Sequence, residues 1–224
     1  MTKEINKMSQ FKKSLNVQFS VIAKAMSNPN RLEMLEFLAQ CEYSVDDLAN
    51  VMGLSVANTS HHLQQLRLAG LVASRKEAQR VFYRLKGDGV VELMASMKRV
   101  AESHITEVKE LVNAYLYSKD EMEPIPREEL LKRASEGSVT VIDVRPSAEY
   151  ASGHLPGAIN LTVEELKKQF SAIEPNQEVI AYCRGAHCIL AFEAVEFLRS
   201  KGFQTRRLED GFPEWKSAGF PINL

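Results

Sequence analysis

Residues 54–85 read LSVANTSHHLQQLRLAGLVASRKEAQRVFYRL, and this stretch decides the fold of the N-terminal half of the chain. Ser55 is a residue type that caps helices, and the apolar spacing predicts a helix over Val56–Ala69 that stops at a glycine. Two apolar runs, Leu71–Arg75 and Arg80–Leu85, flank a polar Lys-Glu-Ala-Gln tip and predict a β-hairpin. The stretch therefore predicts one helix followed at once by a hairpin.

The segments before this stretch extend the pattern. Asn28 and Pro29 are an N-cap and a first helical residue, and they predict a helix over Pro29–Gln40. Ser44, with an aspartate three residues on, predicts a capped short helix over Val45–Val51. A short helix, a turn, a second helix and a hairpin, in this order, are typical of a winged helix-turn-helix.

The second helix of this motif has two unlike faces. Thr59, Leu63 and Leu66 share a face that should pack inward. The opposite face carries small polar side chains that can enter a DNA groove, and the basic residues of the wing suit backbone phosphates. Ordinary solvated surfaces are the alternative, but the whole constellation favours binding to double-stranded DNA. The predicted contact residues are Ser55, Ala57, Asn58, Ser60, His61 and Gln64 on the helix, and Arg75, Lys76 and Arg80 in the wing.

Two apolar stripes flank the motif. Apolar residues recur at steps of three and four from Met8 to Met26, and again from Val90 to Tyr115. Each stripe predicts a helix, the second one long and continuous. A long helix with one apolar stripe needs a partner, which is either the first helix or a second subunit. A homodimer is predicted whose first and last helices build the interface.

The pattern changes after the second stripe. Tyr117–Pro126 is charged, holds two prolines and lacks an apolar stripe, so it is interpreted as a linker. Beyond it, Val139–Val144 and Glu178–Tyr182 are predicted strands and His187–Lys201 is a predicted amphipathic helix. This alternation predicts an α/β domain with a parallel sheet, whose functional residues lie at the carboxyl ends of the strands.

The strand Glu178–Tyr182 runs into a loop in residues 181–190, AYCRGAHCIL, which holds two of the three cysteines. As a zinc site, Cys183, His187 and Cys188 lack a fourth ligand, and a permanent disulfide is disfavoured in a reducing cytoplasm. Backbone N–H groups and a helix dipole favour an anion between a strand and a helix, which should lower the pKa of the Cys183 thiol. A reactive thiolate is the favoured interpretation.

The stretch 54–85 resembles the ArsR/SmtB family of bacterial repressors, above all in the run Ser60-His-His-Leu63 and the basic wing. The resemblance covers roughly residues 15–115. It implies a winged helix-turn-helix that binds DNA through its second helix, and in many members a metal ion releases the DNA.

The metal ligands of that family are mostly absent. Ser44 and Asp46 stand where its cysteine ligands fall, and His104 and Glu107 match only half of its other site. Half a site cannot hold tetrahedral zinc, so neither a metal site nor a cofactor is predicted. Cys41 is interpreted as a small, partly buried residue.

Residues 126–222 resemble the rhodanese sulfurtransferase domain through IDVRPSAEYASGHLPGAINL, the AYCRG strand and loop, and LEDGFPEWKSAGFPI. The resemblance implies that the thiolate of Cys183 takes sulfane sulfur from a donor, forms a persulfide and passes the sulfur to an acceptor thiol. Asp143 and Arg145 are interpreted as braces of the loop. The predicted site residues are Cys183, Arg184, Gly185, Ala186, His187, Cys188, Asp143 and Arg145.

The loop departs from the family's common C-x-x-G-x-R form, because Cys188 stands where an arginine often lies. Arg184 is expected to add positive charge near the donor, and Gly185 to permit a tight bend. The missing arginine puts thiosulfate in doubt as the donor, and a polysulfide or a protein persulfide becomes an alternative. Two interpretations of Cys188 stay open: it resolves the Cys183 persulfide, or it never reacts.

Composition sets the outer limits. A chain of 224 residues with 45% apolar side chains can bury two cores of ordinary size. No signal-peptide core or bilayer-spanning run is visible, and three cysteines are too few for a secreted scaffold, so a cytoplasmic protein without membrane partners is predicted.

The predicted architecture is a multidomain chain. A mainly α winged helix-turn-helix DNA-binding and dimerisation domain occupies 1–118, a linker 119–125, and an α/β rhodanese-like domain with a parallel sheet 126–224. The predicted function is a transcriptional repressor that links reactive sulfur to gene control. The alternative is a sulfurtransferase enzyme whose helical domain mainly dimerises and binds DNA weakly.

Overall fold

The computed structural model describes residues 2–119, 123–174 and 176–224, which form two compact units that divide between Val90 and Val91. The first unit combines helices with a small antiparallel sheet of strand order β1-β3-β2. Its elements are helices α1 at Thr2–Met26 and α2 at Pro29–Gln40, strand β1 at Tyr43–Ser44, helices α3 at Val45–Val51 and α4 at Val56–Leu68, and strands β2 at Val72–Glu77 and β3 at Arg80–Leu85.

Side-chain caps fix where α2, α3 and α4 begin. The side chain of Asn28 accepts a hydrogen bond from the backbone N–H three residues on, at 3.2 Å. Ser44 and Ser55 do the same at 3.1 and 3.3 Å. These caps confirm the predicted starts of the three helices, because each satisfies a backbone donor that the first turn leaves unpaired.

The inward face of α4 is also as predicted. Thr59, Leu63 and Leu66 are fully buried, as are Leu35 of α2 and Leu48 of α3. The apolar stripes of these helices thus meet in one core, and the opposite face of α4 is left for solvent.

The hairpin is longer than the sequence predicts. A tip of Lys-Glu-Ala-Gln was expected, but Lys76 and Glu77 continue β2 and pair with Val81 and Arg80 of β3. The turn is therefore only two residues long, and Ala78 takes a left-handed backbone conformation with φ 51°. Polar residues on an exposed ribbon can extend the ladder, since neither face of the ribbon tip needs to be buried.

The predicted continuous helix from Val90 to Tyr115 is wrong. Helix α5 spans Gly89–His104, Ile105 is extended (φ −104°, ψ 114°), and α6 spans Thr106–Val112 before a π-helical turn. Consecutive β-branched residues at 105 and 106 disfavour the helix. A break that keeps the apolar stripe in phase leaves no trace in its periodicity.

The second unit carries a parallel sheet of order β5-β4-β6-β7, which confirms the predicted α/β domain. After the π-helical turn at Asn113–Tyr117, its elements are α7 at Arg127–Ser135, β4 at Val139–Asp143, α8 at Ser147–Ala151, β5 at Ile159–Asn160, α9 at Val163–Gln169 with a 3₁₀ turn at Phe170–Ala172, β6 at Glu178–Tyr182, α10 at Ile189–Ser200, β7 at Thr205–Arg207 and α11 at Phe212–Ser217.

Both faces of this sheet are covered. Ile142 and Ala181 point into a core shared with α9 and α10, whereas Val141 and Ile180 point into a second core that contains Trp215 of α11. Central strands buried on both faces read as continuous apolar runs, which is the pattern of β4 and β6. The carboxyl ends of both strands therefore lie at the same edge of the sheet.

The predicted linker at 119–125 falls partly on residues 120–122, which lie outside the described residues. Ile125 at its end is fully buried and bridges to Leu208 beside β7, so this position belongs to the packed domain. The predicted domain boundaries otherwise stay predictions. No helix in the described part of the chain is long and apolar enough to cross a bilayer.

Candidate active site and DNA-reading surface

Cys183 follows strand β6 directly, and α10 begins at Ile189 after a short loop. The Cys183 side chain is 1% exposed, and a disulfide joins it to Cys188 with their Cα atoms 6.2 Å apart. This separation lies within the usual range of about 4.4–6.8 Å for cysteines that can be bridged. The two sulfurs of the loop are therefore within bonding reach. The expectation that no permanent disulfide joins them stays a prediction.

Backbone contacts hold the loop in place. The N–H of Cys188 donates to the carbonyl of Gly185 at 3.0 Å, and the N–H of Phe212 donates to the carbonyl of Cys183 at 3.0 Å. The second bond ties the start of α11 to the residue that carries the thiol. The loop is thus fixed from its own turn and from the segment after β7.

A close backbone approach makes glycine necessary at 211. A Cβ at Gly211 would lie 2.2 Å from the backbone N of Gly185, a distance that no real side chain tolerates. At Gly185 a Cβ would meet the carboxylate of Glu214 at 3.8 Å, and its φ lies outside the left-handed region. The structural requirement for glycine therefore falls on Gly211 rather than on Gly185, where the sequence argument placed it.

Arg184 does not present an uncompensated charge to a donor. Its guanidinium binds the carboxylate of Glu149 through two nitrogens, with distances of 2.5 to 3.0 Å. Glu149 is 1% exposed, so the ion pair draws Arg184 back onto α8. The arginine holds the loop against the domain, and its charge is largely cancelled there.

Asp143 and Arg145 form a buried brace below the loop. The guanidinium and the backbone N–H of Arg145 donate to Asp143, with the shortest distance 2.6 Å, and the hydroxyl of Tyr182 donates to the same carboxylate at 2.5 Å. All three residues are fully buried. Burial, together with the charge of Asp143, raises the pKa of Tyr182, so this hydroxyl stays protonated and keeps donating. The brace ties the ends of β4 and β6 together.

His187 connects the loop to helix α5. Its Nε2 lies 3.1 Å from Oε2 of Glu102, and Oε1 of Glu102 accepts a hydrogen bond from the hydroxyl of Tyr117 at 3.1 Å. All three side chains are partly buried or lie at the edge of solvent. One carboxylate thus joins the sulfur loop, α5 and the π-helical turn.

A cavity of about 590 Å³ opens beside the loop. Ala186 and His187 of the loop line it, together with Lys98, Arg99 and Glu102 of α5. Glu214, also in the wall, is a carboxyl whose pKa is raised, mainly by burial. A small molecule can therefore approach the loop from the side that α5 covers.

On the first unit, the predicted contact residues of α4 lie together on the outer face of the helix. All are exposed except Ser60, which is half-buried. The set comprises Ser55, Ala57, Asn58, Ser60, His61 and Gln64.

The wing arginines are less available than the sequence predicts. Arg75 binds Glu42, with Nε to Oε2 at 2.7 Å, and also Glu77, whereas Arg80 binds Asp47 at 2.8 Å. Both guanidinium groups lie over the ring of Phe82. Each side chain is still half exposed, so a phosphate would have to compete with a carboxylate for it. Lys76 is exposed.

His62 is buried within α4, although the sequence argument did not single it out. Burial, followed by the charges of Arg31 and His61, lowers its pKa, so the ring stays neutral. His104 and Glu107 are exposed, and no three His, Cys, Asp or Glu side chains in the described ranges gather as a metal site.

Comparison with known proteins places both parts of the chain in families. Residues 28–74 match the model of bacterial regulatory proteins of the arsR family, and residues 126–218 match the rhodanese-like domain. HTH-type transcriptional regulator Rv0324 of Mycobacterium tuberculosis is 39% identical over 215 residues, which span 96% of this chain and 94% of that protein. The chain belongs to the ArsR family of regulators. This ArsR-family regulator carries a rhodanese-like domain after its helix-turn-helix.

Solved structures resemble the regulator in separate parts. The homodimeric winged helix-turn-helix DNA-binding domain of a possible ArsR-family regulator from Mycobacterium bovis is 36% identical. The match covers 43% of this chain and 89% of the solved chain, with a TM-score of 0.40. A rhodanese-related protein from Thermoplasma volcanium is 28% identical and covers 46% of this chain and 99% of that one, with a TM-score of 0.42.

Sequence reasoning missed four residues that shape the site: Glu149, Tyr182, Glu102 and Gly211. Three of them stood in the motifs that carry the rhodanese resemblance: Glu149 in SAEYASGH, Tyr182 in AYCRG and Gly211 in LEDGFPEW. Tyr182 looked like an ordinary strand residue next to Cys183. Glu102 gave no signal, because its partners are 15 and 85 positions away in the chain.

Proposed function

We propose that this ArsR-family regulator binds double-stranded operator DNA as a homodimeric repressor, and that Cys183 forms a persulfide that links reactive sulfur to gene control. The observation that carries the proposal is the bonding reach between Cys183 and Cys188 in the loop after β6. Of the two interpretations of Cys188 left open by the sequence, this proximity favours the resolving thiol. A cysteine that only filled space would not need a partner thiol at that distance.

The two cysteines of the loop can take up a sulfane sulfur and release it as hydrosulfide in two steps. The Cys183 thiolate attacks the outer sulfur of a persulfide or polysulfide, forms Cys183–S–SH and releases the donor's thiolate. The Cys188 thiolate then attacks the inner sulfur, the disulfide forms, and the outer sulfur leaves as hydrosulfide. The sulfane sulfur is the oxidant of this second step. Two equivalents of an acceptor thiol reduce the disulfide and are themselves oxidised to a disulfide.

The charges around the loop favour a donor with little negative charge. Helix α10, twelve residues long, directs its N-terminus toward the loop and stabilises one developing negative charge there. Arg184 is compensated by Glu149, and position 188 is a cysteine rather than an arginine. A polysulfide or a protein persulfide therefore suits the site better than dianionic thiosulfate.

The first unit supplies the DNA-reading surface. The exposed face of α4 offers the amide of Gln64, the ring of His61 and small polar groups near the helix start. Such side chains can hydrogen-bond base edges in the major groove. Because the wing arginines are paired with carboxylates, we assign more of the affinity to α4 and to Lys76 than to Arg75 and Arg80.

Helix α1 supplies the surface for a second copy. Met8, Phe11 and Phe19 are 71%, 63% and 63% exposed and lie on the apolar stripe of this helix. Large apolar side chains grouped on one helix face are unfavourable in water unless another surface covers them. A second α1, related by twofold symmetry, would cover this stripe and pair two DNA-reading helices.

A glutamine pair on α4 tests the DNA-reading face. Gln64→Ala is expected to lower affinity for a duplex selected from a random library by about 1–3 kcal/mol, the usual value of a base-specific contact. Fluorescence anisotropy at one salt concentration measures the change, with an unrelated duplex as the comparison. Gln65→Ala is the matched control, because its side chain points about 100° further round the helix. Equal losses in the two variants would contradict the assigned face.

The link to sulfur is tested by measuring the same duplex affinity before and after polysulfide treatment. We expect a change of about 5-fold or more, the lower end of ordinary coupling between two sites. Mass spectrometry should find a disulfide in the treated wild type, and a persulfide on Cys183 in Cys188→Ser, which lacks the resolving thiol. Identical affinities of the loaded and unloaded wild type would contradict the link to gene control.

The sulfurtransferase alternative has one observation in its favour, namely the pairing of Arg75 and Arg80 with carboxylates, which weakens the wing as a phosphate contact. Under that alternative the helical part mainly dimerises. Weak DNA binding without sequence preference, combined with repeated sulfur transfer to an added thiol, would favour it. Selective duplex binding without repeated transfer would favour the regulator.

A further inference from the structure

The break at Ile105 separates two parts of the segment after the wing that are held in different ways. Helix α6 and the π-helical turn are anchored on α10 by a buried apolar cluster of Val112, Leu116 and Phe192. Apolar burial is insensitive to the oxidation state of a nearby thiol. This part of the segment should therefore keep its place whatever happens in the sulfur loop.

Helix α5, on the other side of the break, is connected to the loop itself. Glu102, in its last turn, contacts His187 at 3.1 Å and accepts from Tyr117 at 3.1 Å. His187 is bonded in the chain to Cys188, which is one partner of the disulfide. Glu102 thus has two contacts: the one with His187 depends on the loop, and the hydrogen bond from Tyr117 does not.

The covalent state of the cysteines is expected to alter the loop. The disulfide holds the Cα atoms of Cys183 and Cys188 at 6.2 Å, whereas reduction removes this restraint. A persulfide adds a sulfur at about 2 Å from a side chain that is only 1% exposed, so we expect the loop to rearrange around it. His187, next to Cys188, is the residue of the loop that carries such a movement to α5.

We propose that Glu102 is a positioning residue of the sulfur loop, that its contact with His187 is a latch between the loop and α5, and that Ile105 is the hinge about which α5 turns when the latch opens. The proposal rests on the proposed sulfur chemistry at Cys183. It specifies how a change at the cysteines alters the position of helix α5. A single extended residue between two helices can absorb such a rotation.

Helix α5 follows the wing closely in the chain. Helix α5 begins at Gly89, and only residues 86–88 separate it from strand β3 of the wing. The closed latch belongs to the disulfide state, and the reduced and persulfide states open it.

Hydrogen exchange of the full chain tests the latch. Amides of residues 99–106 are expected to exchange several-fold more slowly in the disulfide form than in the reduced form, because the latch restrains the end of α5. Glu102→Ala should remove this difference, and Glu102→Gln, which keeps an acceptor for His187, should retain most of it. Glu110→Ala on exposed α6 is the matched control and should behave like wild type.

Tyr117→Phe distinguishes the two contacts of Glu102, with His187 and with Tyr117. It removes the loop-independent hydrogen bond only, so the difference between disulfide and reduced forms should persist. Equal exchange in the two wild-type forms, or a difference that survives in Glu102→Ala, would overturn the latch. If the exchange difference is present while duplex affinity does not respond to sulfur, the latch stands and the proposed link to gene control fails.

Discussion

Cys183→Ser is expected to abolish sulfur loading. Only a thiolate attacks sulfane sulfur at a useful rate, and a serine hydroxyl neither ionises near neutral pH nor stabilises a sulfur adduct. The substitution changes one atom in a side chain that is 1% exposed, so the loop keeps its volume. The measurement is intact-protein mass spectrometry after polysulfide treatment, in which the variant should gain no sulfur in its rhodanese-like domain.

The cysteine of the other unit provides the control. Cys41 is half-buried between α2 and β1, and Cys41→Ser should load sulfur like wild type. Cys188→Ser should load but not form the disulfide. A sulfur adduct that persists in Cys183→Ser and maps by peptide digestion to Cys188 would make Cys188 the nucleophile and reverse the assigned roles.

Gly211→Ala is expected to destabilise the C-terminal unit by about 3 kcal/mol, the upper end of ordinary overpacking. Its Cβ would meet the backbone of Arg184 and Gly185 at 2.2 to 2.4 Å, and neither segment can move away as a flexible side chain would. The loop that carries Cys183 would be displaced, so sulfur loading should fall together with stability. Urea unfolding followed by tryptophan fluorescence measures the loss.

Trp215 makes this measurement specific. It is the single tryptophan of the chain, lies in α11 and is 1% exposed, so its emission reports on the C-terminal unit alone. Gly185→Ala is the matched control for stability, since its Cβ would make only an ordinary contact at 3.8 Å with Glu214. If Gly185→Ala costs as much as Gly211→Ala, the close approach at Gly211 is not what fixes the loop.

Local signals in the sequence were sufficient for much of the fold. The caps Asn28, Ser44 and Ser55 placed three helix starts correctly, because a capping bond spans only three residues. Strands β4 and β6 were recognisable as apolar runs buried on both faces. The break at Ile105 was not, since the apolar stripe continues across it while the backbone does not.

Some features of the candidate site could likewise be predicted from the sequence, and others could not. Cys183 was predicted as the nucleophile from its position between a strand and a helix, together with the family resemblance. Its proximity to Cys188 could not be read from a five-residue spacing, which fits an extended loop as well as a closed one. The ion pair of Arg184 could not be read from the sequence, because its partner Glu149 lies 35 residues away and only the fold brings it near.

The sequence by itself determined that this protein joins a winged helix-turn-helix to an α/β domain with a cysteine loop after one of its strands, since caps, apolar periodicity and short motifs act over a few residues. The tertiary structure alone decided which charges are cancelled, which glycine is indispensable and which helix touches the loop. Those features depend on residues that are distant in the chain, such as Glu102 and His187, and packing rather than local preference brings them together.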